Sequence, residues 1–404
     1  MRADNLSMER SKPSNYGWVI VGVVFLAELL AFGLVYSFGI FFKPLASEFH
    51  WSRAAIAGVF SVYAIIHVVL APVAGIITDR FGPKIIAILA GFFVGLAMLL
   101  MSRATTIWQV YLFFGFVFSI GIACVYAPLI GVTSRWFTER RGLAVGITAT
   151  GLGAGALIFN PLSAWLISSY GWRTAYTIVG IICWVLFIPI IKFIKETPKK
   201  KSTGVEIEKE ASKDFTVGEA LRTRTFWIIS FAWLLMAISL WAIAVHLPLL
   251  LTDTGISLMM AGTVAGVMGG LSAAGRVGMG FISDRIGRKR SILIGCALQL
   301  IALVFLLSCH ELWMFFLFAA VLGLGSGSWA GTMPSLPADL FGVKATATIL
   351  GFMVMFVGIG VAIGSFAGGR IYDVTGSYNY MIWMCIFTSV VAIIFASLIK
   401  APAR

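Results

Sequence analysis

Charge is what this chain has least of: Asp, Glu, Lys and Arg make up 12% of its 404 residues, against 60% hydrophobic residues. A soluble domain carries roughly twice that share of charge, so a water-facing surface on all sides is excluded and the apolar mass must face lipid. Cysteine is sparse as well. Cys124, Cys183, Cys296, Cys309 and Cys385 lie in or at the ends of apolar runs without a C-x-x-C pair. That excludes a disulfide scaffold or a zinc site by spacing and makes them small packing residues. The four histidines, His50, His67, His246 and His310, are scattered, so no metal centre assembles from sequence spacing and no cofactor is expected. No nucleophile–base spacing or metal set is present, so an enzyme is not expected. A cleavable leader is also missing: the first apolar run is too long and lacks a small-residue cleavage site, so it should stay as the first helix.

What the chain has instead is long apolar runs. A spanning helix needs ~20 such residues, and runs of that size occupy 17–42, 54–78, 85–103, 107–134, 141–168, 172–195, 225–251, 258–283, 289–308, 312–335, 345–372 and 378–399. The pattern predicts an all-α polytopic membrane protein with twelve transmembrane helices. Most joins are short. The exception, 196–224, contains Lys199, Lys200 and Lys201 in a Glu/Lys mixture and reads as a solvated linker. It separates a six-helix half at 17–195 from a second at 225–399, with tails at 1–16 and 400–404.

The formal charge of +13 would suggest nucleic acid in a soluble protein. Here it follows topology. The even-numbered loops and both tails hold roughly 24 Lys and Arg against roughly 5 on the odd loops. Both termini and the linker are therefore expected in the cytoplasm, with no nucleic-acid partner and no obligatory protein partner.

Two segments repeat. Gly75-Ile-Ile-Thr-Asp79-Arg80-Phe-Gly82-Pro-Lys84 returns as Gly280-Phe-Ile-Ser-Asp284-Arg285-Ile-Gly287-Arg-Lys289. Matched charged turns in two halves imply an internally duplicated membrane protein. The pattern resembles the loop between the second and third helices of major facilitator superfamily transporters and its partner between the eighth and ninth. In that setting the two turns could pair with helix ends and latch the outward-facing state. The competing reading is simple turns with positive-inside loops.

Two charged residues lie well inside the runs: Glu28 in the first and Arg276 in the eighth. A mid-helix arginine disfavours insertion by roughly 2.5–3.5 kcal/mol, so it should face a cavity or a partner. Its guanidinium can grip a carboxylate through two parallel hydrogen bonds, which lysine cannot reproduce. The alternative is a permanent ion pair with Glu28. Glu28 itself sits about 16 Å along its helix, a depth suited to proton exchange, and His246 could also titrate usefully. For each, a packed and hydrogen-bonded role competes. Tyr36, Tyr126, Asn160 and Trp329 bring polar handles into apolar helices, as cavity candidates or ordinary packing. Gly151, Gly153 and Gly155, then Gly358, Gly360 and Gly364, are spaced for close helix approach.

The segment Arg135-Trp136-Phe137-Thr138-Glu139-Arg140-Arg141-Gly142-Leu143-Ala144-Val145-Gly146-Ile147-Thr148-Ala149-Thr150-Gly151 resembles the signature that opens the fifth helix in the monocarboxylate transporter family and the related oxalate:formate antiporters. Arg140, Arg141, Gly146 and Gly151 carry it. Tyr16-Gly17-Trp18 is similar to the Gly-Trp motif of the same family. The resemblance covers nearly the whole chain and implies the major facilitator fold, with Arg276 as the residue that binds the substrate carboxylate. Mammalian members carry an aspartate one turn before that arginine, where Ser272 stands, and a lysine in the first helix, where Tyr36 stands. Glu28 or His246 would then carry the proton. The oxalate:formate relatives hold a second cation in the eleventh helix; the stretch Met353–Gly358 contains none. One fixed positive charge matches a monoanion.

The expectation is a secondary active transporter: proton-coupled symport of a short monocarboxylate such as L-lactate or pyruvate, in a bacterial cytoplasmic (inner) membrane. A carboxylate antiporter of the oxalate:formate type and a membrane sensor or transceptor remain the alternatives.

Overall fold

A computed structural model describes residues 16–137, 141–196, 215–333, 335–342 and 346–400. Most of the 196–224 linker, residues 1–15 and 401–404 of the expected tails at 1–16 and 400–404, and Arg140 lie outside the described residues. All regular structure among the described residues is helical. The long helices are α1 (Tyr16–Phe49), α2 (Arg53–Phe81), α3 (Pro83–Met101), α4 (Ile107–Trp136), α5 (141–170), α6 (172–193), α7 (Arg224–Asp253), α8 (Leu258–Ile286), α9 (Arg288–Leu306), α10 (Leu312–Thr332), α11 (Thr346–Thr375) and α12 (Asn379–Ser397). Helices α5 and α6 run on except at Gly171, whose φ of 78° breaks the helical path. Each is long and apolar enough to span a bilayer, with the continuous 142–193 segment long enough for α5 and α6 to cross it in turn.

Helix starts follow capping chemistry. Ser52, Thr223 and Ser257 accept from the backbone N–H three residues on, and Thr106 with Gln109 forms a capping box. The repeated turn is explained by its second glycine. Gly82 and Gly287 adopt φ of 85° and 91°, and their N–H groups close on Thr78 and Ser283 carbonyls at 2.9 and 3.0 Å. A side chain there would be strained, so glycine lets α2 fold directly into α3 and α8 into α9. Helix α1 continues past its predicted end at 42 to Phe49. Phe42 and Leu45 are buried, so the neighbouring helices sustain it beyond the apolar run.

Tyr16, Ile194, Arg224 and Leu398 share one end of the bundle, here the near end; His50, Gly171, Thr254 and Gly376 share the far end. The first six helices meet the last six along four seams. Helix α5 packs on α8 from Gly153 against Ala273, through Ala156 against Gly269, to Ala164 against Gly262. Helix α2 packs on α11 from Val68 against Gly358 to Arg53 against Gly369, with the Ser61 hydroxyl donating to the Ala362 carbonyl at 2.7 Å. Gly39 of α1 abuts the Val245 carbonyl of α7, and α1 also touches α8. These contacts occupy the far-end and middle portions. On the near-end portions, Gly75, Gly142, Gly146, Gly278, Gly280 and Gly351 have open space where a side chain would begin, and Val73, Ile147, Phe281 and Val354 are exposed. The helices therefore diverge towards the near end and leave a cleft open there.

Candidate functional site

Counting 1.5 Å per residue from the near-end helix termini, Arg276 and Tyr126 stand about 15 Å deep and Glu28 about 18 Å deep. The three come from α8, α4 and α1. Arg276 attracts both the Glu28 carboxyl and the Tyr126 hydroxyl electrostatically. It forms no ion pair or hydrogen bond among the described residues, and its side chain is partly exposed. Glu28 is fully buried, and neither carboxyl oxygen has a hydrogen-bond partner. The permanent Arg276–Glu28 salt bridge is therefore not formed in this structure.

The backbone around Arg276 is fixed by α10. A methyl group on Gly331 would stand 2.7 Å from the Arg276 carbonyl oxygen, and one on Gly327 would stand 2.9 Å from its amide nitrogen. Two glycines one turn apart thus let α10 lie directly on α8 and fix the backbone from which the Arg276 side chain extends. One turn earlier, Ser272 is buried and accepts from the Ser326 hydroxyl at 3.4 Å. Glu28 is placed by the corresponding device: a methyl group on Gly151 of α5 would stand 2.8 Å from the Glu28 Cβ and 2.6 Å from the Phe25 carbonyl oxygen, so the glycine lets α5 lie directly on α1 there.

Tyr36 stands higher, about 30 Å from the near end, and stacks on Trp241 of α7 at 5.2 Å and 16°. Tyr126 meets Phe32 edge-on at 5.8 Å. Asn160 is buried on the α5 face that packs on Gly262, with its Oδ1 unpaired. Trp329 is apart from this group: its indole N–H donates to Gln299 Oε1 at 3.3 Å, between α10 and α9. His246 is also apart. Its Nε2 is 2.9 Å from the Ser365 carbonyl and its Nδ1 3.3 Å from the Tyr378 hydroxyl, at the far-end closure.

That closure was not singled out by sequence reasoning. Arg53 of α2 bonds Asp253 of α7 at 2.8 Å, donates to the Tyr378 hydroxyl at 2.6 Å, and lies 3.5 Å over the Tyr372 ring of α11. The Asp373 carboxylate of α11 accepts from the Arg53 and Ala54 amides at 2.9 and 2.8 Å, capping α2 from across the seam. Lys43 donates to the Thr252 carbonyl at 3.2 Å. Burial of Tyr378 pushes its hydroxyl well above the usual phenol range, so it stays a donor. Arginine and aspartate at helix ends looked like ordinary interfacial charges in sequence; no local signal paired them.

At the near end the two repeated turns bind inside their own sets of six helices. Asp79 pairs with Arg135 of α4 at 3.1 Å. Asp284 pairs with Arg288 at 2.6 Å, and Arg288 reaches Asp339 at 3.2 Å. Arg80 lies beside the Phe81 ring, while Lys84 and Arg285 are exposed and Lys289 is partly so. The two family-like segments also meet here: Tyr16 packs on Trp136 at 5.6 Å, Trp18 on Phe137 at 5.2 Å, and the Trp136 N–H donates to the Lys195 carbonyl at 3.1 Å. Gly146 faces open space. The Arg141 backbone opens α5.

The family model for the Major Facilitator Superfamily matches residues 24–309 and 273–404. The chain is 27% identical over 380 residues to monocarboxylate transporter 13 of Bos taurus, covering 92% of this chain and 86% of that protein. It is 27% identical over 380 residues to monocarboxylate transporter 11 of Homo sapiens, covering 90% and 79%. The oxalate:formate antiporter of Oxalobacter formigenes is 27% identical over 343 residues, covering 83% and 80%. In overall shape the chain is similar to the crystal structure of a bacterial homologue of the human lysosomal transporter Spinster, inward-facing and unoccupied, with a TM-score of 0.71, 16% identity and 96% of each chain covered.

Proposed function

The chain belongs to the major facilitator superfamily, as a multi-pass membrane transporter of a small molecule, and we propose that its cargo is a short monocarboxylate such as L-lactate or pyruvate, moved together with a proton. The observation that carries this reading is the unpaired Arg276 guanidinium about 15 Å deep in the cleft. An unpaired cation there is costly unless an anion joins it, and a carboxylate fits its fork. Tyr126 stands at the same depth, ready to hydrogen-bond the substrate.

Glu28 is the proton carrier in this reading. A buried carboxyl without a donor is far cheaper to keep as the neutral acid than as the anion, and its charge acts directly on Arg276. Substrate on the arginine and a proton on the glutamate therefore depend on each other. Moving the anion alone would oppose an inside-negative potential by ~2.3 kcal/mol per 100 mV. With one proton the step is electroneutral, and each pH unit contributes ~1.4 kcal/mol. His246, already engaged at the far end, serves the closure instead.

We place the near end, with its excess of Lys and Arg, in the cytoplasm of a bacterial inner membrane. The two six-helix halves, 17–195 and 225–399, then rock about the site. The cleft described above is the cytoplasm-facing state, sealed outside by Arg53, Asp253, Asp373 and Tyr378. In the outward-facing state the near-end turns leave Arg135 and Arg288 for helix ends of the opposite half and act as the latch. Carboxylate exchange is the second reading, favoured by the likeness to the oxalate:formate antiporter.

Proteoliposomes with an outside-acid gradient, held near zero potential, test both. Labelled lactate should accumulate above equilibrium, a protonophore should abolish the accumulation, and empty liposomes correct for lactic acid diffusion. Uptake that requires a counter-anion regardless of pH sinks symport in favour of exchange. Arg276→Lys should lose most uptake; near-normal binding and uptake would rule out the two-bond grip.

A further inference from the structure

The aromatic group above Arg276 joins the two sets of six helices at mid-depth. Trp241 reaches from α7 and stacks on Tyr36 of α1, and it also meets Phe60 of α2 at 5.3 Å and 34°. By residue count from the near-end termini, Trp241 stands about 26 Å deep, Tyr36 about 30 Å and Phe60 about 31 Å. Arg276 stands at about 15 Å, so roughly 11 Å of depth separates the guanidinium from the indole.

Phe60 is fully buried, while Trp241 and Tyr36 each keep part of their surface exposed. They are the members of the group that face open space. Between the two levels Phe32 supplies an apolar wall against Tyr126. Beyond the aromatic group, Gly39 abuts the Val245 carbonyl, and the chain is packed shut up to Arg53.

We infer that Trp241, braced by Tyr36 and Phe60, is the ceiling of the substrate chamber and sets the longest acid the protein accepts. This rests on the reading of Arg276 as the carboxylate site. With the carboxylate on Arg276, an apolar tail avoids the watery near-end opening by pointing up the chamber, past Phe32, to the indole. A chain that reaches the ring plane must break the stack or leave its own end unburied. Because the stack crosses from α1 and α2 to α7, an overlong chain also wedges apart the seam that closes the far end. Length is thus selected by a rigid, well-packed surface and not by hydrogen bonding.

The test uses the purified full-length protein and straight-chain monocarboxylates from acetate to octanoate, scored by ligand-induced thermal stabilisation and by competition in the proteoliposome assay. The matching primary amides are run in parallel. The unmodified protein should show a length cut-off, with binding falling about tenfold or more for each methylene beyond it. Trp241→Ala and the milder Trp241→Leu should move the cut-off to longer acids while short acids still bind; Trp241→Phe should keep it near its original place. Two replacements of different size keep the test decisive if one folds poorly. An unmoved cut-off in the folded variants, or no cut-off in the unmodified protein, overturns the ceiling. If amides bind as well as acids of equal length, the Arg276 reading fails instead, and the length profile of the amides still decides the role of Trp241.

Discussion

Arg53→Ala offers a quantitative test of the far-end closure. The side chain makes three contacts across the seam: the ion pair to Asp253 at 2.8 Å, the hydrogen bond to Tyr378 at 2.6 Å, and the stack over Tyr372 at 3.5 Å. The ion pair is partly screened, with side-chain exposures of 19% and 29%, and contributes about 1 kcal/mol. The hydrogen bond contributes about 1 kcal/mol, and the cation–π contact about 1 kcal/mol. If these add, the closed far end loses about 3 kcal/mol, or a shift of about a hundredfold towards opening. The backbone amides remain capped by Asp373, so α2 itself should stay folded. The assay is a cysteine at Phe32, in a background with the native cysteines replaced, labelled by a membrane-impermeant thiol reagent added at the far side. Labelling should accelerate by about two orders of magnitude in Arg53→Ala and less in Arg53→Lys. Rates within about twofold of the parent would refute the reasoning, because no contact network lost at the closure could then be limiting access.

Two further substitutions probe the centre. In Gly331→Ala the new methyl group would lie 2.7 Å from the Arg276 carbonyl oxygen and 2.9 Å from its Cα; neither is a side chain that can rotate away. The expected cost is about 1–3 kcal/mol of stability, with a loss of substrate affinity from the displaced guanidinium, read by thermal unfolding and by uptake against concentration; unchanged affinity would show that α10 does not position Arg276. Glu28→Gln keeps the size of the acid and removes its proton exchange. Uptake driven by a pH gradient should disappear while exchange of labelled for unlabelled lactate persists, and accumulation equal to that of the parent would move the proton elsewhere.

The spans were legible because each needs only its own run of apolar residues, and that is a local property. The α5–α6 break fell between predicted runs ending at 168 and beginning at 172, and the structure puts it at Gly171. The repeated turn was equally readable, since Gly82 and Gly287 solve the same backbone problem twice. Arg276 stood out by depth alone, because a charge inside a span is costly wherever the helix lies. Its surroundings were another matter. Tyr126 of α4 stands at the same depth as Arg276 of α8, a match between two helices that no spacing within either one contains. Trp329 was another polar handle in an apolar run, yet it turns to Gln299.

By itself, then, the sequence determined the number of membrane helices, the duplicated turns and the presence of one deep guanidinium, since hydrophobic length, backbone strain and the cost of a charge in lipid act residue by residue. Tertiary structure alone decided that Glu28 would have no hydrogen-bond partner, that Trp241 would stack on Tyr36, and that Arg53 would meet Asp253 two hundred residues away. Those outcomes depend on which helix faces meet, and that is fixed by small residues such as Gly39, Gly151 and Gly331 admitting one neighbour's backbone and by bulky ones refusing it.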